Sequence, residues 1–198
     1  MLRSGAAVIE LRVRRQAERL TDPIGAQLAR AHLTPVGVTI IGMVITIVGA
    51  VIVGFGQLAV GASVVVLGSI VDSLDGGVAR ATGQVTARGS FADSVADRVG
   101  ETAMWAGLAF AVPEHPVPVL SVLVLGGSLL TSYLRAKAES VGVEGRGGLF
   151  GRAERVIGYT LALSFTAIMI PVLWVLAIGT WITVAYRFAI TWRQLSSA

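Results

Sequence analysis

Val36–Phe55 reads VGVTIIGMVITIVGAVIVGF, twenty residues without a charged side chain. At about 1.5 Å of rise per residue, a helix of that length reaches about 30 Å, the depth of a bilayer's hydrocarbon core. The stretch is therefore read as a membrane span. Thr34-Pro35 ahead of it offers a capping hydroxyl and a first-turn proline. A cleaved leader is not expected, because six arginines lie in the 35 residues before the run and no small-residue cleavage pattern ends it. Further apolar runs follow at Leu58–Val71, Ala103–Val112, Val117–Leu134, Val156–Ile170 and Val172–Ala185. The shortest needs its polar flank to cross a bilayer, so the third helix is drawn as Ala87–Val112. The expectation is an all-α integral membrane fold of six transmembrane helices.

Composition agrees. Of 198 residues 54% are hydrophobic and 14% charged, with mean hydropathy +0.76, whereas a soluble domain needs about a quarter charged to cover its surface. Cysteine is absent, which removes disulfide frameworks, thiolate zinc sites and cysteine nucleophiles. Any metal must be held by oxygen or by His32 and His115. The net charge of +4 comes from sixteen basic and twelve acidic residues, and the placement of the basic ones decides its meaning. Six arginines precede the first run. Arg80, Arg88 and Arg98 flank the second connector. Arg135, Lys137, Arg146, Arg152 and Arg155 flank the fourth, and Arg187 and Arg193 end the chain. The connectors Gly54–Gln57, Pro113–Pro118 and Ile170–Pro171 carry no Lys or Arg. All sixteen thus fall on one side, which by the positive-inside rule places both termini in the cytoplasm. Nucleic acid is not an expected partner.

Leu2, Val8, Ile9, Leu11, Val13 and Leu20 alternate with arginines, so the N-terminal stretch is expected to form an amphipathic juxtamembrane helix on anionic membrane lipid. Thr21-Asp22-Pro23 reads as the cap and first turn of another short helix. With no internal repeat and no long linker, one domain is expected over 1–198, with interfacial helices in 1–31 and the bundle in 35–195.

Asp72, Asp75, Asp93 and Asp97 fall within twenty-six residues at the cytoplasmic ends of the second and third helices. Spacings of three and four put each pair on one helix face. Like charges so gathered repel, and either a proton or a cation must neutralise them. Carboxylate oxygens select a hard ion, Mg²⁺ or Mn²⁺, which leaves positions for phosphate oxygens. Four aspartates suffice for two ions, an arrangement suited to displacement at phosphorus. Gly76 and Ala79 provide a small-residue groove between the pairs, and Arg80 reaches for phosphate.

The pattern Asp72-x2-Asp75-Gly76-x2-Ala79-Arg80-x8-Gly89-x3-Asp93-x3-Asp97 resembles, position for position, the signature of the CDP-alcohol phosphotransferases, membrane enzymes of phospholipid synthesis. The resemblance implies that Asp72, Asp75 and Asp93 ligate metal, and that Asp97 touches a second ion and takes the acceptor hydroxyl's proton. It also implies that Val36, Gly37, Val38, Thr39, Gly76, Ala79, Arg80 and Thr86 contact a CDP-linked lipid, CDP-diacylglycerol, with release of CMP. Many relatives carry an amide or carboxylate where this chain has Val36. A homodimer in the plasma membrane, its active site facing the cytoplasm, is implied as well.

Ser132-Tyr133-Leu134-Arg135-Ala136-Lys137-Ala138-Glu139 and Gly151-Arg152-Ala153-Glu154-Arg155 are similar to stretches of the actinobacterial phosphatidylinositol phosphate synthases and their archaeal counterparts. By that resemblance Ser132, Arg135, Arg155 and Arg187 receive the acceptor's phosphate, with inositol phosphate the expected acceptor and glycerol phosphate the alternative. Guanidinium suits phosphate because it pairs bidentately. A third reading, a cation or proton-coupled carrier, would want acids at mid-membrane in both halves of the chain, and the second half lacks them.

Other features carry less. Gly145–Gly151 resembles a phosphate loop but follows no strand and lacks the Gly-Lys-Ser/Thr ending, so it is read as a flexible connector. His32 and His115 fall on opposite sides of the membrane and cannot share a metal. Trp105, Trp174, Trp181 and Trp192 read as interface anchors or packing. Glu101, one turn beyond Asp97, is either an acid supporting the cluster or a buried partner for an arginine.

Overall fold

A computed structural model describes residues 21–145, 147–148 and 150–196. The amphipathic helix expected before residue 21 lies outside the described residues. Among those described, the chain is helical with no strand. Helix α1 covers residues 21–30, followed by α2 (Pro35–Gly54), α3 (Leu58–Asp72), α4 (Asp75–Thr82), α5 (Ala87–Ala111), α6 (Val117–Ser140), α7 (Arg152–Ser164) and α8 (Met169–Ser196). A 3₁₀ turn, Thr166–Ile168, leads into α8. Among the described residues four stretches are long and apolar enough to cross a membrane: Pro35–Gly54, Leu58–Thr82, Val117–Ser140 and Thr166–Ser196. Val44, Val48 and Val51 on α2, Val122 on α6, and Val175, Ile178 and Ile182 on α8 stand exposed, as side chains facing lipid do.

Local chemistry accounts for several boundaries. The Thr34 hydroxyl accepts the Gly37 amide at 3.1 Å, so the expected cap of α2 forms. Thr21 is already helical, which corrects its reading as a cap. Ser73 donates its hydroxyl to the Ile70 carbonyl at 2.7 Å, a back-bond that bends helices, and α3 breaks there before α4 begins. α4 ends on Gly83 with φ of 67°, a left-handed position that glycine takes without strain. The last connector lies at Phe165–Ile168 and not at Ile170–Pro171, because Pro171 sits in the first turn of α8, where its missing amide costs nothing.

The chain divides into two compact units, and α2, α3 and α5 each contribute to both. The first comprises residues up to Ile45 and Leu67–Val99. Here α1 meets α4 backbone to backbone: a Cβ on Gly77 would lie 2.7 Å from the Thr21 carbonyl oxygen. Likewise α2 meets the end of α3 at Gly42, where a Cβ would lie 2.7 Å from the Asp72 amide nitrogen.

The second unit comprises Thr46–Val66 and the chain from Gly100 onward. Its core gathers Val53, Val65, Met104, Trp105, Leu108, Leu120, Val124, Tyr159, Leu163, Leu173 and Leu176, all essentially without solvent exposure. α6 and α8 approach closely at Gly127, where a Cβ would lie 2.8 Å from the Thr180 methyl, the small-residue packing common between membrane helices. Trp105 meets Tyr159 edge-on at 5.3 Å between ring centroids, and the Tyr159 hydroxyl donates to the Met104 carbonyl at 3.0 Å.

Candidate metal centre and groove

Asp72 is the last residue of α3, Asp75 the first of α4, and Asp93 lies in the second turn of α5. Each offers a carboxylate oxygen, and the three oxygens lie within 4.8 Å of one another. The bend at Ser73-Leu74 is what turns Asp72 and Asp75 to a common point. Thr39, on α2, donates its hydroxyl to Asp75 Oδ2 at 2.8 Å, and the Gly76 amide donates to Asp75 Oδ1. Asp72 is 6% exposed. Three carboxylates gathered this tightly, one of them buried, form an all-oxygen donor set that fits a hard divalent cation and leaves it coordination positions for a ligand. Asp97 stands one turn beyond Asp93 and is not in this group; its Oδ2 pairs with Arg98 Nη2 at 3.2 Å.

Beside the carboxylates runs a groove of about 190 Å³. It is lined by Pro35, Val36 and Thr39 from α2, Asp75, Gly76 and Ala79 from α4, Gln84 and Val85 from the turn, and Thr86, Gly89, Ser90 and Asp93 at the start of α5. On each helix these positions recur at three- or four-residue spacing, so one face of each contributes. The Thr86 hydroxyl accepts the Gly89 amide at 3.0 Å and caps α5, whose N-terminal amides then face a region suited to anions.

The structure thus brings Val36, Thr39, Gly76, Ala79 and Thr86 to one groove with Asp75 and Asp93. Gly37 and Val38 are not among its lining residues, and Val38 is buried at 2% exposure. Arg80 is also outside the lining; its Nε and Nη2 donate to Asp22 Oδ1 at 2.9 and 2.6 Å. Gln84, Val85 and Ser90 were not expected. Ser90 was findable, since it precedes Asp93 by three residues, whereas Gln84 and Val85 depend on the turn after Gly83.

The basic residues assigned to an acceptor belong to the second unit. Ser132 donates its hydroxyl to the Ser128 carbonyl at 3.2 Å. Arg135 pairs with Glu139 at 3.0 Å, both about half exposed. Arg187 donates through Nε to the Gly147 carbonyl at 2.8 Å and through Nη1 to the Thr131 carbonyl at 2.6 Å. Arg155 is 3% exposed and pairs with Glu101 at 2.5 Å, which settles Glu101 as the partner of an arginine. Phe150 in the glycine-rich connector and Glu144 just before it bond to α8: the Phe150 amide donates to Thr183 Oγ1 at 3.1 Å, and the Gln194 side chain donates to the Glu144 carbonyl at 3.0 Å.

Comparison with known proteins bears on this geometry. Residues 32–192 match the family model for CDP-alcohol phosphatidyltransferase. A phosphatidylinositol phosphate synthase of Cutibacterium acnes is 36% identical over 185 residues, covering 91% of this chain and 87% of that protein. An archaetidylinositol phosphate synthase of Pyrococcus horikoshii is 33% identical over 178 residues, covering 89% of this chain and 93% of that protein. The crystal structure of the Mycobacterium tuberculosis phosphatidylinositol phosphate synthase with manganese and citrate superposes with a TM-score of 0.80 at 32% identity, covering 87% of this chain and 88% of that one. The same enzyme with CDP-DAG bound gives 0.80 at 33% identity, covering 88% and 94%.

Proposed function

Because the chain belongs to the CDP-alcohol phosphatidyltransferase family, we propose that it transfers a phosphatidyl group from CDP-diacylglycerol to a hydroxyl of inositol phosphate, releasing CMP and leaving phosphatidylinositol phosphate in the membrane. The observation that carries this reading is the trio Asp72, Asp75 and Asp93 within 4.8 Å, of which Asp75 and Asp93 line the groove. Likeness to inositol phosphate synthases over about nine-tenths of the chain supports the acceptor.

Asp72, Asp75 and Asp93 would hold Mg²⁺ or Mn²⁺, with Asp97 reaching a second ion; bound there, the ions supply charge neutralisation to the diphosphate and to the departing CMP. Thr39 and the Gly76 amide fix the Asp75 carboxylate. Gly76 and Ala79 leave the groove floor without bulk, so the nucleotide end of the lipid lies close to the α4 backbone. In this reading Val36, Gly37, Val38 and Thr86 shape the same subsite, and Arg80 leaves Asp22 for phosphate. Asp97 accepts the proton of the attacking hydroxyl as the new oxygen–phosphorus bond forms and the bond to CMP breaks. Ser132, Arg135, Arg155 and Arg187 receive the acceptor's phosphate.

The same reading makes α5 and α7 membrane segments, giving six crossings with both termini in the cytoplasm of a plasma-membrane homodimer, and one functional domain over 1–198. Family membership decides for an enzyme over a carrier. Purified protein given CDP-diacylglycerol and Mn²⁺ should release CMP with inositol phosphate and not with glycerol phosphate. CMP release with glycerol phosphate alone would overturn the acceptor assignment.

A further inference from the structure

Glu101 and Arg155 are each 3% exposed. Two charges so far from solvent carry a desolvation cost that their attraction offsets only with fixed geometry and satisfied hydrogen-bonding groups. Both conditions are met. Arg155 Nε donates to Glu101 Oε1 at 2.5 Å and Nη2 to Oε2 at 3.4 Å, so the carboxylate grips the guanidinium side-on. Nη1 donates to the Phe150 carbonyl at 3.2 Å. One turn further along the same two helices, Trp105 meets Tyr159 and the Tyr159 hydroxyl is bonded, so the α5–α7 seam is already keyed by apolar packing. A well-packed apolar pair in place of the two charges would hold such a seam as well or better. Packing alone therefore does not account for them.

We propose that Glu101 is a positioning residue for acceptor recognition: by holding the Nε and Nη2 side of Arg155 it fixes the guanidinium plane and leaves Nη1 to exchange the Phe150 carbonyl for the acceptor's phosphate. This rests on the reading of Arg155 as an acceptor-phosphate residue. A phosphate oxygen is anionic and forms a hydrogen bond roughly twice as strong as a neutral carbonyl does, so phosphate displaces Phe150 and not Glu101. Arg187 has the same exchangeable arrangement, with Nε and Nη1 resting on the carbonyls of Gly147 and Thr131. Phe150 and Gly147, whose carbonyls the two guanidinium groups would release, lie within four residues of each other.

The test uses the full chain in detergent with CDP-diacylglycerol, Mn²⁺ and inositol phosphate, measuring CMP release, both KM values and the unfolding midpoint. Glu101→Gln keeps an acceptor oxygen but loses the charge; it should raise the acceptor KM about tenfold and leave the CDP-lipid KM nearly unchanged, while the midpoint falls because Arg155 keeps a buried charge without its counter-ion. Glu101→Asp, which keeps the charge on a shorter arm, should recover part of the loss and serves where the glutamine variant folds poorly. The paired variant Glu101→Leu with Arg155→Leu should fold and show an acceptor KM as high as Arg155→Ala. Equal rises in both KM values, or a paired variant with the parent's acceptor KM, overturns the proposal. If Arg155→Ala raises the acceptor KM and Glu101→Gln does not, only the positioning role falls. If Arg155→Ala leaves it unchanged, the acceptor reading of Arg155 falls and takes the positioning role with it.

Discussion

Helix α5 carries two kinds of charge within a few turns, and they are handled in opposite ways. At its start Asp93 joins Asp72 and Asp75, three like charges within 4.8 Å. Further on, Glu101 meets Arg155, opposite charges at 2.5 Å in a seam closed by Trp105 and Tyr159. The first arrangement is unstable as a protein feature and makes sense as a receptor for cations. The second is balanced within the chain. Like charges left unbalanced call for a ligand from outside, whereas opposite charges that cancel fix one another's geometry.

The sharpest way to break this contrast is at the acidic end. Chelation, or Asp93→Asn, should lower CMP release at least about a thousandfold, with added Mn²⁺ restoring the chelated enzyme but not the variant. Turnover that ignores chelators would mean the carboxylates gather for some other reason. Trp105→Ala attacks the seam instead. Loss of a fully buried indole should cost about 3–5 kcal/mol, read as a lower unfolding midpoint, while the metal affinity of the folded fraction stays the same. A fall in metal affinity without a fall in midpoint would erase the distinction between the two regions. The smallest effect is expected at Asp22→Asn, because Asp22 and Arg80 are 49% and 40% exposed. The loss should be under about 1 kcal/mol and should shrink further in high salt. A large loss of stability there would show that α1 holds the acidic end together.

How much of this was legible depended on the range of the interaction. Apolar length alone located α2 and α3 to within a residue or two. It misplaced the end of α6, which runs six residues past Leu134, and of α8, which runs eleven past Ala185. Charged residues such as Arg135 and Arg187 end an apolar run without ending a helix. Spacing placed Asp72 and Asp75 on one helical face, but α3 ends at Asp72 and α4 begins at Asp75, so it is the turn between them that aims both at one point.

Partners of the arginines were beyond that reach. Arg80 with Asp22 spans fifty-eight positions and Arg155 with Glu101 fifty-four, and no local pattern links either pair. The close approaches at Gly42 and Gly77 likewise depend on backbones from distant parts of the chain. Membrane class, the helices and the acidic motif were written locally, because hydrophobic length and helical spacing act over a few turns. Which charges cancel and which are left to gather a cation emerged only when distant helices met, since in a low-dielectric interior that outcome depends on distance and burial, which packing alone sets.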